Sequence, residues 1–252
     1  MKQEAILITG GTGKLGRCFA THFAKNGWNV VITSTNEKRA SEFIKSFPSN
    51  QNITFFISDL SEPNAANSLI QKINAEGIEI NHLINNARSL DSLQVKENGF
   101  SEREHLLKEF TMHVAVPYEL SVSLFQNQKD SLKTIVNIGS QYGSVAANPS
   151  LYNGDLSQAP IQYGLAKSAL HHLTKELSVR FIKHGIRVNC VAFGGVDGRS
   201  DQSFKDRYSK LVPSGRMLNE HEVIGPIEFL LSESSSSMTG AIIAADGGWT
   251  AW

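Results

Sequence analysis

The chain has 252 residues, enough for one large α/β domain with a sizeable core. Lys+Arg and Asp+Glu both number 24, so the net charge is zero and nothing global favours nucleic acid or an acidic membrane as a partner. No apolar run reaches membrane-spanning length, and Met1-Lys2-Gln3-Glu4 leads into a strand pattern rather than a signal peptide, so a cytoplasmic location is expected.

Apolar runs and helical patterns alternate from end to end. Residues 5–9 read as a strand, followed by a glycine-rich turn and a helix to about 26, stopped by Gly27. A second strand over 29–34 precedes a helix over 37–47 that Pro48 ends. The third pair is a strand over 53–58 and a helix over 64–75, and 82–85 is the fourth strand. A long helix over roughly 102–126 carries Pro117, where a kink is expected. Residues 134–138 form a fifth strand, ahead of a helix from about Tyr163 to 184. A strand over 187–192, a helix over 219–231 and a strand over 241–244 complete the chain. This alternation implies one doubly wound, Rossmann-type α/β domain over 1–252, with a parallel sheet and helices on both faces. Cys18 and Cys190 fall in predicted core elements and read as small buried hydrophobes. The eight histidines lack ligand spacing, so no metal is expected.

The first strand turns into the first helix through Thr9-Gly10-Gly11-Thr12-Gly13-Lys14-Leu15-Gly16. Glycines there let the backbone approach a pyrophosphate, and the helix N-terminus offers N–H groups and partial positive charge. Such turns also serve purely structural ends, but this one lies between a strand and a helix, the context of dinucleotide binding. At the end of the second strand, Ser34 and Thr35 stand where NAD enzymes place a carboxylate for the ribose 2′-hydroxyl. Lys14, Lys38 and Arg39 are near enough in sequence to meet a 2′-phosphate, so NADP(H) is preferred over NAD(H). Glu37 dissents, and the basic residues also read as a solvated helix start. Asp59 with Leu60, and Asn85-Asn86-Ala87, follow the third and fourth strands and outline a groove for adenine and ribose.

Ser140 lies just beyond the fifth strand, at the sheet end where ligands bind. Tyr163 and Lys167 are four residues apart, one turn on the same helical face. A fixed positive charge favours a phenolate over a phenol, so the pair is suited to moving a proton at a carbonyl or alcohol oxygen that Ser140 also holds. Alone, the Y-x-x-x-K spacing is common on ordinary amphipathic helices.

Taken together, TGGTGKLG at 9–16, Asp59-Leu60, NNA at 85–87, NIGS at 137–140, YGLAK at 163–167, Asn189-Cys190-Val191 with Gly194, and Asp246-Gly247-Gly248 resemble the short-chain dehydrogenase/reductase family along nearly the whole chain. The resemblance implies a seven-stranded sheet, a nicotinamide cofactor and a homo-oligomer, dimer or tetramer. It implies Tyr163 as general acid/base, Lys167 supporting it and the nicotinamide ribose, and Ser140 orienting the substrate oxygen. It also carries cofactor contacts onto Gly194 and Val196. The chain departs from the pattern at several points. The glycine spacing is that of the family's longer branch; His113 stands at the family's fourth catalytic position, usually an asparagine in the long helix, where an imidazole can hold a water or relay a proton; Arg88 replaces a glycine after NNA; Phe193 replaces a proline; and Gly198-Arg199-Ser200 replaces a threonine-bearing segment.

Two substrate-side loops are expected, about 144–162 and 194–217. The first holds an insertion over 146–160 with Asn148, Tyr152, Asn153, Asp155 and Gln158, a polar set suited to a hydroxyl-rich ligand, or else a tolerated surface loop. Arg88, Tyr152, Asn153 and Arg199 are the candidate substrate contacts. The NNAR and LYNGD pieces are similar to members acting in flagellin and surface-glycan modification. Over 194–217, Phe204, Tyr208 and Met217 read as an apolar lid or as packing anchors. The resulting expectation is an NADP(H)-dependent oxidoreductase interconverting a carbonyl and a secondary alcohol on a small, polar, sugar-like substrate. A 3-ketoacyl-type reductase and a non-catalytic NADP-binding sensor are the alternatives.

Overall fold

The computed structural model describes residues 4–48, 51–96, 98–198 and 200–252. Its seven strands are β1 (Ala5–Ile8), β2 (Asn29–Ser34), β3 (Ile53–Ile57), β4 (His82–Asn85), β5 (Thr134–Ser140), β6 (Arg187–Phe193) and β7 (Ile242–Ala245). They form one sheet in the order β3-β2-β1-β4-β5-β6-β7, with every pairing parallel. The chain reverses its direction of travel across the sheet between β1 and β4, which opens a crevice at the carboxyl ends of those strands.

The described residues also form eight α-helices: α1 (Lys14–Lys25), α2 (Glu37–Lys45), α3 (Ala65–Ala75), α4 (Arg103–Phe110), α5 (Val116–Gln128), α6 (Ile161–Phe181), α7 (Gln202–Leu211) and α8 (Ile224–Leu231). Successive strand residues point to opposite faces, so each strand feeds two cores. Leu7, Leu83, Ile135 and Val188 pack with Leu69, Leu120 and Leu177 of α3, α5 and α6. Ile6, Ile8, Ile32 and Val136 pack with Phe19, Phe43 and Ile227 of α1, α2 and α8. Each such buried side chain contributes about 1.5–3 kcal/mol. Cys190 is buried as expected, whereas Cys18 is only half-buried and its thiol donates to the Glu220 carbonyl.

Besides β5, which runs on to include Ser140, and the helix expected over 219–231, which is α-helical only from Ile224, the structure departs from the expected elements in three places. The long helix over 102–126 is not one kinked helix but α4 and α5 joined by a π turn, Thr111–Ala115. Pro117 has no N–H to give the His113 carbonyl, and the N–H of Val116 reaches back five residues to Thr111. The widened turn carries His113.

The segment over 194–217 is no featureless loop. Asp201 caps α7 by accepting from the Phe204 N–H. Tyr208 is a packing anchor rather than a lid: buried, stacked on Trp249, its hydroxyl donating to Gln141 and accepting from the Gly195 N–H.

The insertion over 146–160 folds into short 3-10 turns. Asn148 and Asp155 spend their side chains on the N–H groups of Ser150 and Ser157, while Leu151 and Tyr152 turn into a small core with Tyr208, Val212 and Trp249. Its polarity is therefore largely local turn chemistry.

Candidate active site

The glycine turn is held against the β4 end by short polar bonds. The Thr9 hydroxyl accepts from the N–H groups of Asn86 and Ala87, both at 2.9 Å, and the Asn86 amide donates to the Thr9 carbonyl at 2.8 Å. Gly10 has φ +64 and its N–H donates to Thr33 Oγ1. At Gly16 a Cβ would lie 2.3 Å from the Gly10 carbonyl oxygen, so α1 can close on the turn only with glycine there. The result is a glycine cradle at the N-terminus of α1 that lets backbone come close, which fits a dinucleotide pyrophosphate.

From this cradle a cavity of about 680 Å³ runs along the strand ends to Tyr163. Gly10, Thr12, Gly13, Lys14 and Leu15 line its start, and Thr35, Arg39, Asp59 and Leu60 line the side toward β2 and β3. Asn86, Ala87, Arg88, Gly194 and Val196 flank the middle, while Ser140, Tyr152, Tyr163 and Lys167 line the far end. Several expected residues lie elsewhere. Gly16 is packed beneath the turn. Ser34 is buried and spends its hydroxyl on Thr12 and Asn36. Lys38 and Asn153 are exposed and off the cavity wall; Asn153 takes the left-handed conformation that closes its 3-10 turn. Arg199 lies outside the described residues. Of the three apolar residues over 194–217, Phe204 and Met217 line the cavity together with the anchored Tyr208.

The reaction end is built on β5 and α6. Ser140 closes β5, and its Oγ accepts from the Tyr142 N–H at 3.2 Å. Lys167 Nζ donates to the Ile138 carbonyl at 2.6 Å and lies 5.7 Å from the Tyr163 ring centre. Burial is the main cause that lowers the Lys167 amine to about 7, and the nearby Arg88 charge adds to it. One turn on, burial brings His171 down to about 4. Its ring fills the space a Cβ would need at Gly139 and Gly143, at 2.7 and 2.4 Å, so those glycines let the turn after β5 close over α6.

His113 is not a wall residue. It sits behind the wall, buried, with its ring edge-on to Tyr163 at 5.7 Å between centres. Burial first, then repulsion by Lys167, lowers it to about 4, so the imidazole is neutral at pH 7. Its Nε2 lies 3.3 Å from Glu109 Oε2, one turn back on α4, yet both atoms lack a well-aligned hydrogen bond. Glu109 is fully buried and takes a 2.5 Å hydrogen bond from Ser92 Oγ. Burial pushes its carboxyl up, but His113 and Ser92 outweigh that and leave it below the usual range. Sequence reasoning passed over Glu109, although its i, i+4 spacing to His113 was a usable signal.

A second, largely apolar cleft of about 790 Å³ adjoins the reaction end. Phe100, Val145, Leu156, Ile161 and Leu165 line it, and it shares Tyr142, Tyr152 and Pro160 with the first cavity. The Tyr142 and Tyr152 hydroxyls meet at 3.1 Å between the two.

A parallel doubly wound sheet, a glycine cradle and a hydroxyl–phenol–amine group on one cavity define a dinucleotide-dependent oxidoreductase of the Rossmann class. The chain belongs to the short-chain dehydrogenase/reductase family: the family model described as "Enoyl-(Acyl carrier protein) reductase" matches residues 13–250. It is similar to the 3-oxoacyl-[acyl-carrier-protein] reductase FabG of Chlamydia muridarum, 30% identical over 97% of this chain and 96% of the relative. It is also similar to the galactitol 2-dehydrogenase of Rhizobium johnstonii, 25% identical over 99% and 96%. Among solved structures, ElxO with NADP bound superposes with a TM-score of 0.86 at 26% identity, covering 99% of this chain and all of that one. Among the described residues, no helix is long and apolar enough to cross a membrane.

Proposed function

We propose that this protein is an NADP(H)-dependent enzyme that interconverts a ketone and a secondary alcohol on a small, polar, sugar-like substrate. One observation carries the reading: Ser140, Tyr163 and Lys167 open on the same cavity as the glycine cradle. Gly10 to Leu15 would hold the pyrophosphate, Asp59 to Leu60 and Asn86 to Ala87 would flank the adenosine, and Gly194 and Val196 would back the nicotinamide. A bound nicotinamide supplies or takes the hydride. Tyr163 gives its phenolic proton to the carbonyl oxygen in reduction and takes one back in oxidation. Ser140 donates to the same oxygen, and Lys167 offers a positive charge beside the phenol. Behind Tyr163, neutral His113 fixes the ring edge that faces away from the substrate.

The choice of NADP(H) rests on Thr35 and Arg39, which line the cavity next to β2 where Glu37 does not. Arg88 and Tyr152 on the wall, and the likeness to a galactitol dehydrogenase, support a polar substrate. Exposed Leu107, Tyr118, Leu165 and Val179 on α4, α5 and α6 support assembly as a dimer or tetramer, and a cytoplasmic location belongs to the same reading. A 3-ketoacyl-type reduction is the second reading. The apolar cleft beyond Tyr142 and Tyr152 favours it, being suited to an acyl chain.

The test is NADPH consumption by the purified protein against ketoses and 3-ketoacyl thioesters. The expected result is turnover of a ketose, reduced about 10²- to 10⁴-fold in Tyr163→Phe with NADPH binding kept. Turnover of thioesters alone selects the second reading, and an unimpaired Tyr163→Phe removes the proton-transfer role.

A further inference from the structure

We infer that Arg88 makes the reaction end selective for a substrate that carries an oxyanion group, a hydroxy acid or its oxo counterpart, rather than a neutral polyol. The inference rests on the oxidoreductase reading above and names the substrate class of that same site.

Arg88 lies just past β4, after Asn86 and Ala87, is exposed to the cavity, and holds its guanidinium 5.5 Å from the centre of the Tyr163 ring. That is a weak attraction to the ring face, and among the described residues no carboxylate pairs with this guanidinium and no carbonyl accepts from it. The acid nearest in effect, Glu109, is sealed behind the wall, with one carboxylate oxygen taken by Ser92 and the other against His113. A planar fork of five donors standing open beside the candidate proton donor matches a carboxylate or phosphate in two parallel hydrogen bonds.

The cavity's charge pattern points the same way. Four cations line it, Lys14, Arg39, Arg88 and Lys167, against one anion, Asp59, although the whole chain is neutral. Asp59 stands by the glycine cradle and accepts from Ser61. Lys14 is bonded to the Val196 carbonyl and lies 3.6 Å from Glu220, and Lys167 is bonded to the Ile138 carbonyl. Arg88 is thus the cation left facing the substrate. Leu90, Met112, Phe193 and Phe204 wall this end, and low-dielectric walls lengthen the reach of its charge. An anion there also relieves the repulsion between Arg88 and Lys167.

The test compares kcat/KM for an oxo acid, a ketose phosphate and a neutral ketose of matched carbon chain, in wild type, Arg88→Gln and Arg88→Lys. The wild type is expected to favour an anionic member. That preference should fall about 10- to 100-fold in Arg88→Gln, mostly through KM, with partial rescue in Arg88→Lys. Whichever anion shows the larger effect identifies the head group. A wild type without anion preference overturns the inference, as does a loss shared equally by all three substrates. A loss that falls on the KM for NADPH overturns it too, by assigning Arg88 to the cofactor. Calorimetric titration of the NADP⁺-loaded protein with the hydroxy acid covers failure of the parent reading. Arg88-dependent binding without turnover keeps the inference and sinks the redox assignment, and absence of binding sinks the inference.

Discussion

The two ends of the cavity are built on different principles. At the cofactor end the shape is made of backbone: a left-handed Gly10, a glycine under α1 and a threonine hydroxyl stapling β1 to β4. Lys14, Arg39 and Asp59 line that end, but the turn itself is held by hydrogen bonds of its backbone and of threonine hydroxyls. At the reaction end the shape is made of side chains that folding strains to bury. Lys167, His113, His171 and Glu109 are all buried, and the last three carry side-chain atoms without hydrogen-bond partners. Backbone scaffolds tolerate no added atom, whereas buried ionisable groups tolerate neighbours but tie stability and chemistry to pH.

That contrast can be broken most sharply at Gly16. A valine there sets a Cβ at 2.3 Å from the Gly10 carbonyl oxygen, and it should cost about 2–3 kcal/mol of stability. It should also abolish the rise in Tm that NADPH gives the wild type, read by thermal melts with and without the nucleotide. A melt that still shifts with NADPH would show a cradle less tight than its geometry.

At the reaction end the expected signature is pH dependence. His113 and His171 have folded values near 4, below the unfolded value of 6.5. Between these values the unfolded chain binds protons that the folded chain refuses, so stability falls as pH drops from 6.5 to 4. Glu109, held low, adds a loss at the acid side of its unfolded value of 4.5. Replacing His113 by Asn should recover about 2 kcal/mol of the histidine-linked loss, seen as a flatter Tm profile over pH 4–7. His171 keeps the slope from vanishing. A profile identical to wild type would mean that the imidazole is not refused its proton.

The smallest effect tests the cofactor choice. Arg39→Ala should raise the KM for NADPH about 10-fold and leave NADH within a factor of about two. Equal changes for both nucleotides would remove Arg39 from the 2′-phosphate.

The local order of this protein was readable residue by residue. The strand bounds at 29–34 and 82–85, the glycine turn, and the Tyr163–Lys167 pair all follow from patterns shorter than two helical turns, which steric and hydrogen-bonding rules decide without distant help. Reading stopped where a polar residue had a choice of partner. Asn153 read as a substrate contact, and Asn148 and Asp155 as part of a polar insertion suited to a hydroxyl-rich ligand or of a tolerated surface loop; Asn148 and Asp155 cap their own turns and Asn153 lies off the cavity wall. Tyr208 read equally as a lid residue or a packing anchor, and its bond to Gln141 across the fold decides for the anchor.

The alternation of apolar runs and helices determined the doubly wound sheet and the edge at which a ligand binds, because each element's periodicity is set by its own backbone geometry. Tertiary structure alone decided which side chains, dozens of residues apart, share a low-dielectric space. It set Arg88 over the ring of Tyr163, hid Glu109 behind His113, and drew Asn85, Asn137 and Thr174 into one buried chain of hydrogen bonds. Charge and hydrogen bonding act through space, and only the packed sheet and helices convert chain position into distance.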